Sequence, residues 1–391
     1  MLQRARPCDG WASDRSIGKM ASMLLTREAS EAGSSQERDV ARTSPRSMLA
    51  GPIVALVTLV AAVAATRAAG VPLRDPDHVA GRRLAWVVLL VLGLVLLDVV
   101  VRAGRRSRGL APSWAALREV RRERWRWDRG LAVGSALVSF YVCYLAYRNI
   151  KSTVPLLRPG DLFDRQLADI DRAIFGGSDP AALLHSLLGT GAPTQVLSFV
   201  YLFFVVFVPL TLALALVFSP NLPGGLFFAT AMSINWPLGA ATYLMLPALG
   251  PVYATPWEFA HLPASNVSDL QHLMLDQRLE FLRDPAVAGT AQSIAAFASL
   301  HVSMILTAAL AAHLLRLDRR VRVSLWALLA ASVTATIYLG WHYVVDDIAG
   351  VAIALAALAL ARVLTGFELP SRRRLAAPKI AAGPAADETH A

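Results

Sequence analysis

Long apolar stretches recur along the whole chain, and they constrain its fold more than any other feature of the sequence. A hydrocarbon core of roughly 30 Å takes about 20 apolar residues of α-helix, so each stretch can cross a bilayer. The hydrophobic fraction of 55% is also higher than a soluble globular protein normally has. We therefore predict an all-α, polytopic membrane protein with spans near 51–69, 83–101, 131–149, 194–218, 224–247, 299–315, 323–341 and 343–363.

The basic residues indicate an orientation rather than a nucleic-acid partner. The formal net charge is +10, but the arginines lie in short segments beside the apolar stretches, as is usual in membrane proteins. Ten arginines fall within 102–129, and the positive-inside rule places this segment in the cytoplasm. Alternation then puts 316–322 and both termini inside, and 150–193, 248–298 and the corner at 341–343 outside.

Composition divides the chain into four parts. Residues 1–47 and 366–391 are predicted to be disordered cytoplasmic tails. Residues 48–129 would hold two transmembrane helices and the basic loop, and 130–365 a transmembrane domain of six helices. In the outer segment 161–188, apolar residues recur at helical spacing and Asp179-Pro180 marks a new start, which predicts two short helices at the membrane interface.

His342 and Asp346 are the first candidates for chemistry. They stand four residues apart, so on a helix they would share one face, and the carboxylate could accept a hydrogen bond from the imidazole. A carboxylate on one ring nitrogen fixes the tautomer and leaves the other nitrogen free to attack phosphorus. A structural pair at the membrane surface would have the same spacing.

Two further groups are predicted on the same outer face. Ser299 is a plausible N-cap that would place His301 in the first turn of a helix, where free N–H groups favour an anion. Lys151 and Arg158 follow the third span and could bind phosphate oxygens, although a basic cluster at a helix end is also common. Basic residues are expected inside, so this pair is unusual outside.

Taken in order, Lys151 to Pro159, Ser299-Leu300-His301 and His342 to Asp346 resemble the three motifs of the type 2 phosphatidic acid phosphatase superfamily. Three longer segments, 169–177, 295–303 and 338–346, are similar to the branch of inositolphosphorylceramide synthases and related inositol phosphotransferases. The resemblance covers about 130–365. It implies a six-helix phosphatase-type bundle, here preceded by two extra transmembrane helices.

The resemblance also implies a two-step reaction that needs neither metal nor cofactor. His342 would attack phosphorus to give a phosphohistidine, Asp346 would orient it, and His301 would protonate the leaving group. Lys151, Arg158 and Ser299 would bind the phosphate. The implied partners are a membrane lipid and either water or a small alcohol, at the outer leaflet of the cell membrane.

The sequence departs from the superfamily pattern at two places. Many members have Ser-Arg shortly before the last histidine, whereas this chain has Ala335-Thr336, so one phosphate-binding arginine is missing. Arg278 in the long outer segment is one candidate to supply that charge. Ala298 and Leu300 replace the usual proline and glycine around Ser299.

Several functions remain open from sequence alone. The leading hypothesis is a lipid-phosphate phosphotransferase, with an inositol-phosphate headgroup as its specific form, and the nearest alternative is a phosphatase for a lipid phosphate or an isoprenoid diphosphate. A transporter would place ionisable residues deep in the spans, where little beyond Asn235 is found. A metalloenzyme could use His301, His342 and Asp346 as ligands. The oligomeric state is not predicted.

Overall fold

The computed structural model describes residues 44–76, 81–82, 84–107, 112–219, 222–287 and 291–368. This part of the chain is all-helical and contains no strand, which confirms the predicted fold class. Thirteen α-helices follow one another as α1 Pro45–Ala68, α2 Leu84–Ser107, α3 Trp114–Arg124, α4 Trp127–Leu157, α5 Asp164–Ile174, α6 Pro180–Leu188, α7 Ala192–Phe218, α8 Leu222–Met245, α9 Pro251–Ala254, α10 Asn266–Arg283, α11 Leu300–Leu314, α12 Arg319–Tyr338 and α13 Val344–Thr365.

Eight apolar helices lie where the eight spans are predicted. Six of them are long and apolar enough to cross a membrane, namely α1, α2, α4, α7, α12 and α13. Helix α8 has 24 residues but is not in this group, and α11 is an apolar helix of only 15 residues. Neither helix needs a continuous lipid-facing surface, because most of their side chains are buried among neighbouring helices. The chain is a multi-pass membrane protein.

Several predicted boundaries are wrong. The first helix begins at Pro45 behind the Ser44 cap, so the N-terminal tail cannot extend to residue 47. Helix α4 continues to Leu157, two turns beyond the predicted end, and it therefore includes Lys151. The seventh span is displaced toward the N-terminus, because α12 ends at Tyr338 and a corner follows. Most of both predicted disordered tails, 1–43 and 369–391, lies outside the described residues.

Helix α8 forms the centre of the bundle. It packs against α1, α4, α7, α11 and α13. Its small and polar residues allow close approach, and buried Asn235 receives hydrogen bonds from Ser303 and Thr307 of α11. The polar side chains that made this stretch less apolar in sequence thus bond to another helix instead of facing lipid.

The first two helices are attached to this bundle by packing and by a buried charge cluster. Helix α1 packs on α4 and α8, and α2 packs on α3 and α7. At the basic end, Asp98 of α2 accepts a 2.6 Å hydrogen bond from Arg124, and both residues are buried. Arg124 and buried Arg129 also donate to main-chain carbonyls of Val217 and Ser219 at the end of α7. Such pairing satisfies charges that would be costly to bury alone.

The opposite end of the bundle is covered by short helices and an extended segment. The two short helices predicted within 161–188 are present as α5 and α6, and Asp179 caps α6 by accepting from Ala181 and Ala182. Residues 291–299 are mostly buried and run without helical structure to the start of α11. Their main chain is bonded to neighbouring elements: Ala296 donates to the Ala248 carbonyl and Ser299 to the Asp346 carbonyl.

Candidate active site

A cavity of about 620 Å³ lies at this covered end, and three of the sequence-predicted site residues line it. These are Lys151 from the end of α4, His301 from the start of α11, and His342 from the corner before α13. The cavity size is within the usual range for small-molecule sites. Further polar or aromatic residues of its wall are Tyr144, Tyr147, Arg148, Tyr201, Trp236, Tyr243, Tyr253, Gln277, Ser293 and Trp341.

His342 and Asp346 are in contact, but not in the way their spacing suggests. His342 lies before α13, in the corner that follows Gly340, and only Asp346 is helical. The imidazole Nδ1 is nevertheless 3.3 Å from Asp346 Oδ2, and the same oxygen accepts a 3.0 Å hydrogen bond from the Tyr343 N–H. The predicted shared helix face is therefore wrong, whereas the predicted pair is present.

Burial determines the charge state of the His342 ring. The side chain is 7% exposed, and burial lowers the pKa of His342 to about 4, a change that the nearby Asp347 opposes. The ring is therefore neutral at pH 7. In the tautomer that donates its Nδ1 proton to Asp346, the lone pair of Nε2 is the one left for nucleophilic attack.

His301 lies across the cavity from His342. Ser299 caps α11 by accepting from the Val302 N–H, so His301 stands in the first turn as predicted. Its ring stacks on Tyr201 and Phe204 at centroid distances of 4.4 and 4.1 Å, and the two histidine rings are 6.2 Å apart. A group bound between the two rings could contact both of them.

The cationic side of the cavity is formed by two residues of α4. The Lys151 ammonium lies 4.7 Å from the ring centroid of Tyr243 and 5.8 Å from that of Tyr147. Arg148, one turn earlier on the same helix face, donates a 2.7 Å hydrogen bond to Ser293 Oγ. Arg148 was missed by the sequence analysis because it lies within a predicted apolar span, although its spacing from Lys151 is a usable signal.

Two other predicted cations do not line the cavity. Arg158 donates to the Asp161 carboxylate and to the Leu244 carbonyl, each at 2.8 Å. Arg278 donates to Gln292 Oε1 at 3.2 Å, and Gln292 in turn donates to the Lys151 carbonyl. Arg278 thus braces the wall behind Lys151, and burial lowers its pKa.

The position of the missing arginine is occupied by a buried hydroxyl–carboxylate cluster. Thr336 Oγ1 donates a 3.1 Å hydrogen bond to Asp347 Oδ2, and the Ser299 side chain is bonded to the same carboxylate. Thr336 and Ser299 are fully buried. Ser299 therefore lies beneath the site and is not part of the cavity wall. Asp347, directly after Asp346, was not singled out from the sequence.

Two aspartates of α5 hold the corner that bears His342. Asp171 accepts hydrogen bonds from the N–H groups of Val344 and Val345, at 2.7 and 3.1 Å, at the start of α13. Asp164 accepts from the Gly250 N–H at 2.8 Å and from the Tyr343 hydroxyl at 3.2 Å. Burial raises the pKa of both carboxyl groups, while these hydrogen bonds favour their ionised forms. From sequence, the segment 169–177 carries a resemblance and lies within the predicted interfacial helices, but its bond to the His342 corner is not predicted.

Among the described residues, no group of three or more His, Cys, Asp or Glu side chains is placed to hold a metal ion. His301, His342 and Asp346 therefore do not form a ready-made ligand set in this arrangement, since only His342 and Asp346 are in contact.

Comparison with known families gives a match over half of the chain. The family model of the PAP2 superfamily matches residues 165–360, a range that includes α5, both histidines, Asp346 and Asp347. The match excludes α1 to α4 and hence Lys151 and Arg148. Searches of curated proteins and of solved structures give no match.

Proposed function

We propose that this chain, which belongs to the PAP2 superfamily, transfers a phosphoryl-type group through His342 without a metal ion. Membership of this superfamily supports an enzyme of the phosphatase or phosphotransferase type that acts on a lipid phosphate. The observation that supports this proposal best is the contact of His342 Nδ1 with buried Asp346, opposite His301 in a cavity that also contains Lys151.

In the first proposed step, His342 Nε2 attacks phosphorus and the bond from phosphorus to the leaving oxygen breaks. His301 enters this step with both ring nitrogens protonated, gives one proton to that oxygen and becomes neutral. Asp346 holds the Nδ1 proton and stabilises the positive charge that develops on the ring.

In the second proposed step, the oxygen of an acceptor attacks phosphorus and the phosphorus–nitrogen bond breaks. His301 takes the acceptor proton, which returns both histidines to their starting states. Lys151 and Arg148 would stabilise the equatorial oxygens in both steps, so Arg148 would supply the charge that is missing at Thr336. Arg158 and Ser299 remain predicted phosphate ligands from the resemblance, but their contacts give them less support than Arg148 has.

We propose a small alcohol as the acceptor and, more specifically, a lipid with an inositol-type headgroup as the donor. Hydrolysis, in which water is the acceptor, is the alternative. Transfer is supported by the covered site, because α10 and the buried segment 291–299 would limit the access of water. We also propose that the cavity opens at the outer leaflet of the cell membrane, because the most basic segments lie at the opposite end of the bundle. Nucleic acid has no role in this proposal.

The test uses purified full-length protein and lipids labelled at phosphorus: phosphatidylinositol, phosphatidic acid and a polyprenyl phosphate, with and without alcohol acceptors. We expect turnover that survives a strong chelator, an acid-labile phosphohistidine in the wild type, and a loss of roughly 10⁴-fold in His342→Ala. His272→Ala is the matched control, because His272 is exposed on α10.

The products distinguish the two forms of the reaction. Label recovered in an ester of the added alcohol, a phosphodiester from phosphatidylinositol or a phosphomonoester from the other two lipids, supports transfer, whereas label recovered only as inositol phosphate or inorganic phosphate assigns hydrolysis. Loss of turnover in chelator, or full activity of His342→Ala, would reject the proposed mechanism.

A further inference from the structure

The cavity continues from the histidines into an apolar arm, which we define by Trp86, Val87, Phe140, Val205, Val208 and Pro209. The arm is bounded by α2, α4 and α7. All six side chains are apolar, in contrast to the charged and phenolic groups around Lys151 and His342. One connected space therefore has a polar end and an apolar end.

The arm opens sideways toward the bilayer. Trp86 and Val205 line it and are 67% and 63% exposed, whereas Val87 and Phe140 are buried at 8% and 2% exposure. An exposed residue on an apolar spanning helix faces lipid. The arm therefore has an inner wall made by α2 and α4 and an outer edge where a hydrocarbon chain could enter from the membrane.

Helix α2 contributes to this arm although it lies outside the matched range of 165–360. In the segment between α1 and α2, Arg74 exchanges two 2.9 Å hydrogen bonds with Asn149 of α4. Asn149 lies between Arg148 and Lys151 on the sequence. This contact holds the segment that follows α1 beside α4.

From this arrangement we infer that the apolar arm binds a hydrocarbon chain of the lipid phosphate, and that Trp86 and Val87 of α2 select which chains fit. This inference rests on the proposed function for the identity of the polar group at His342. A phosphate fills only a small part of 620 Å³, so the cavity has room for a further portion of the lipid. Because the chain leaves lipid and enters an apolar wall, selection would depend on shape more than on hydrophobicity.

Narrowing the arm tests this inference. In Val87→Phe, the larger side chain would occupy the arm, and we expect kcat/KM for dipalmitoyl phosphatidic acid to fall by roughly tenfold relative to that for the dibutyryl lipid. Val88→Phe is the matched control, because Val88 is the next residue, is 44% exposed and does not line the cavity. Trp86→Ala, at an exposed position that tolerates truncation, should shift the same ratio and guards against misfolding of Val87→Phe.

A binding measurement separates this inference from the proposed function. Full-length protein in nanodiscs is photolabelled with phosphatidic acid that bears a diazirine in its acyl chain, and the labelled peptides are mapped by mass spectrometry. We expect labelling of residues 84–90. Excess unlabelled phosphatidic acid should abolish this labelling, whereas excess phosphatidylcholine should not. Val87→Phe should weaken the labelling and Val88→Phe should not.

Competed labelling without turnover would overturn the proposed reaction and leave the chain-binding arm in place. An unchanged chain-length ratio in both Val87→Phe and Trp86→Ala, or labelling that phosphatidic acid does not compete, would overturn the arm. Equal loss toward long and short lipids in Val87→Phe and Trp86→Ala would do the same, since it would show a structural role only.

Discussion

Two features of its surroundings act in opposite directions on the protonation of the His342 ring: a neighbouring carboxyl group and burial. Asp346 favours the proton on Nδ1, while burial disfavours a second proton on the ring and lowers the pKa of His342 to about 4. The ring therefore stays neutral in the pH range in which an ordinary surface histidine becomes charged. This balance has a consequence for the pH dependence of turnover.

We expect kcat/KM to remain high as the pH falls through 6.5 and to decline only toward the pKa of about 4. The nucleophile is the neutral ring, so the acidic decline lies at this pKa, whereas the proton that His301 must donate is lost as the pH rises and sets a separate alkaline decline. The measurement is a pH profile of kcat/KM, from which the ionisation of the lipid phosphate, titrated separately, is removed. An acidic decline centred near 6.5 would contradict the burial of His342.

A second prediction concerns Arg148 and Arg158, which precede and follow Lys151 in the sequence. In Arg148→Gln, loss of a charged hydrogen-bond donor in the cavity should raise the KM for the lipid phosphate and lower kcat/KM by roughly 10- to 100-fold. Arg158→Gln is the matched control and should cost less, because Arg158 is bonded to Asp161 and does not line the cavity. The reverse order of effects would restore Arg158 as the phosphate ligand.

Among the helices, α5 has the most specific connection to the site. It lies at the covered end of the bundle, and its Asp171 binds the two N–H groups at the start of α13, where the helix dipole favours an anion. This contact fixes the direction in which α13 leaves the His342 corner. Asp171 is therefore a positioning residue.

Removing this charge should affect the chemical step more than substrate binding. For Asp171→Asn we expect a lower kcat with little change in KM, slower formation of the phosphohistidine, and a lower melting temperature. Asp169→Asn is the control on the same helix, because Asp169 is exposed and pairs only with Arg172. Equal kinetics in the two variants would show that Asp171 does not position the corner.

Spans and caps were predictable because they depend on local patterns. Apolar length identified the eight helices, and the Ser299 and Asp179 caps were located from residue type alone. Contacts between distant segments were not predictable in this way. Asp171 meets Val344 across 173 positions of sequence, and Thr336 bonds to Asp347 only because a corner reverses the chain. Arg148 was hidden by the apolar residues around it.

The distribution of basic residues over the whole molecule implies an orientation that can be measured directly. With Cys8 replaced by serine, Ser186→Cys on α6 should react with a membrane-impermeant maleimide in intact cells, because its exposed side chain would face outward. Ser107→Cys, exposed at the opposite end of α2, should react only after permeabilisation. The opposite pattern would place the cavity on the cytoplasmic side.

The short helix α11 sets the depth of the reacting group. Its 15 residues span roughly 22 Å, less than a hydrocarbon core of roughly 30 Å, and the buried segment 291–299 makes up the difference on the side of His301. The phosphorus would therefore react below the plane of the surrounding headgroups. In the proposed reaction a second substrate would have to descend to that depth, which favours small polyols or water over bulky polymers as acceptors.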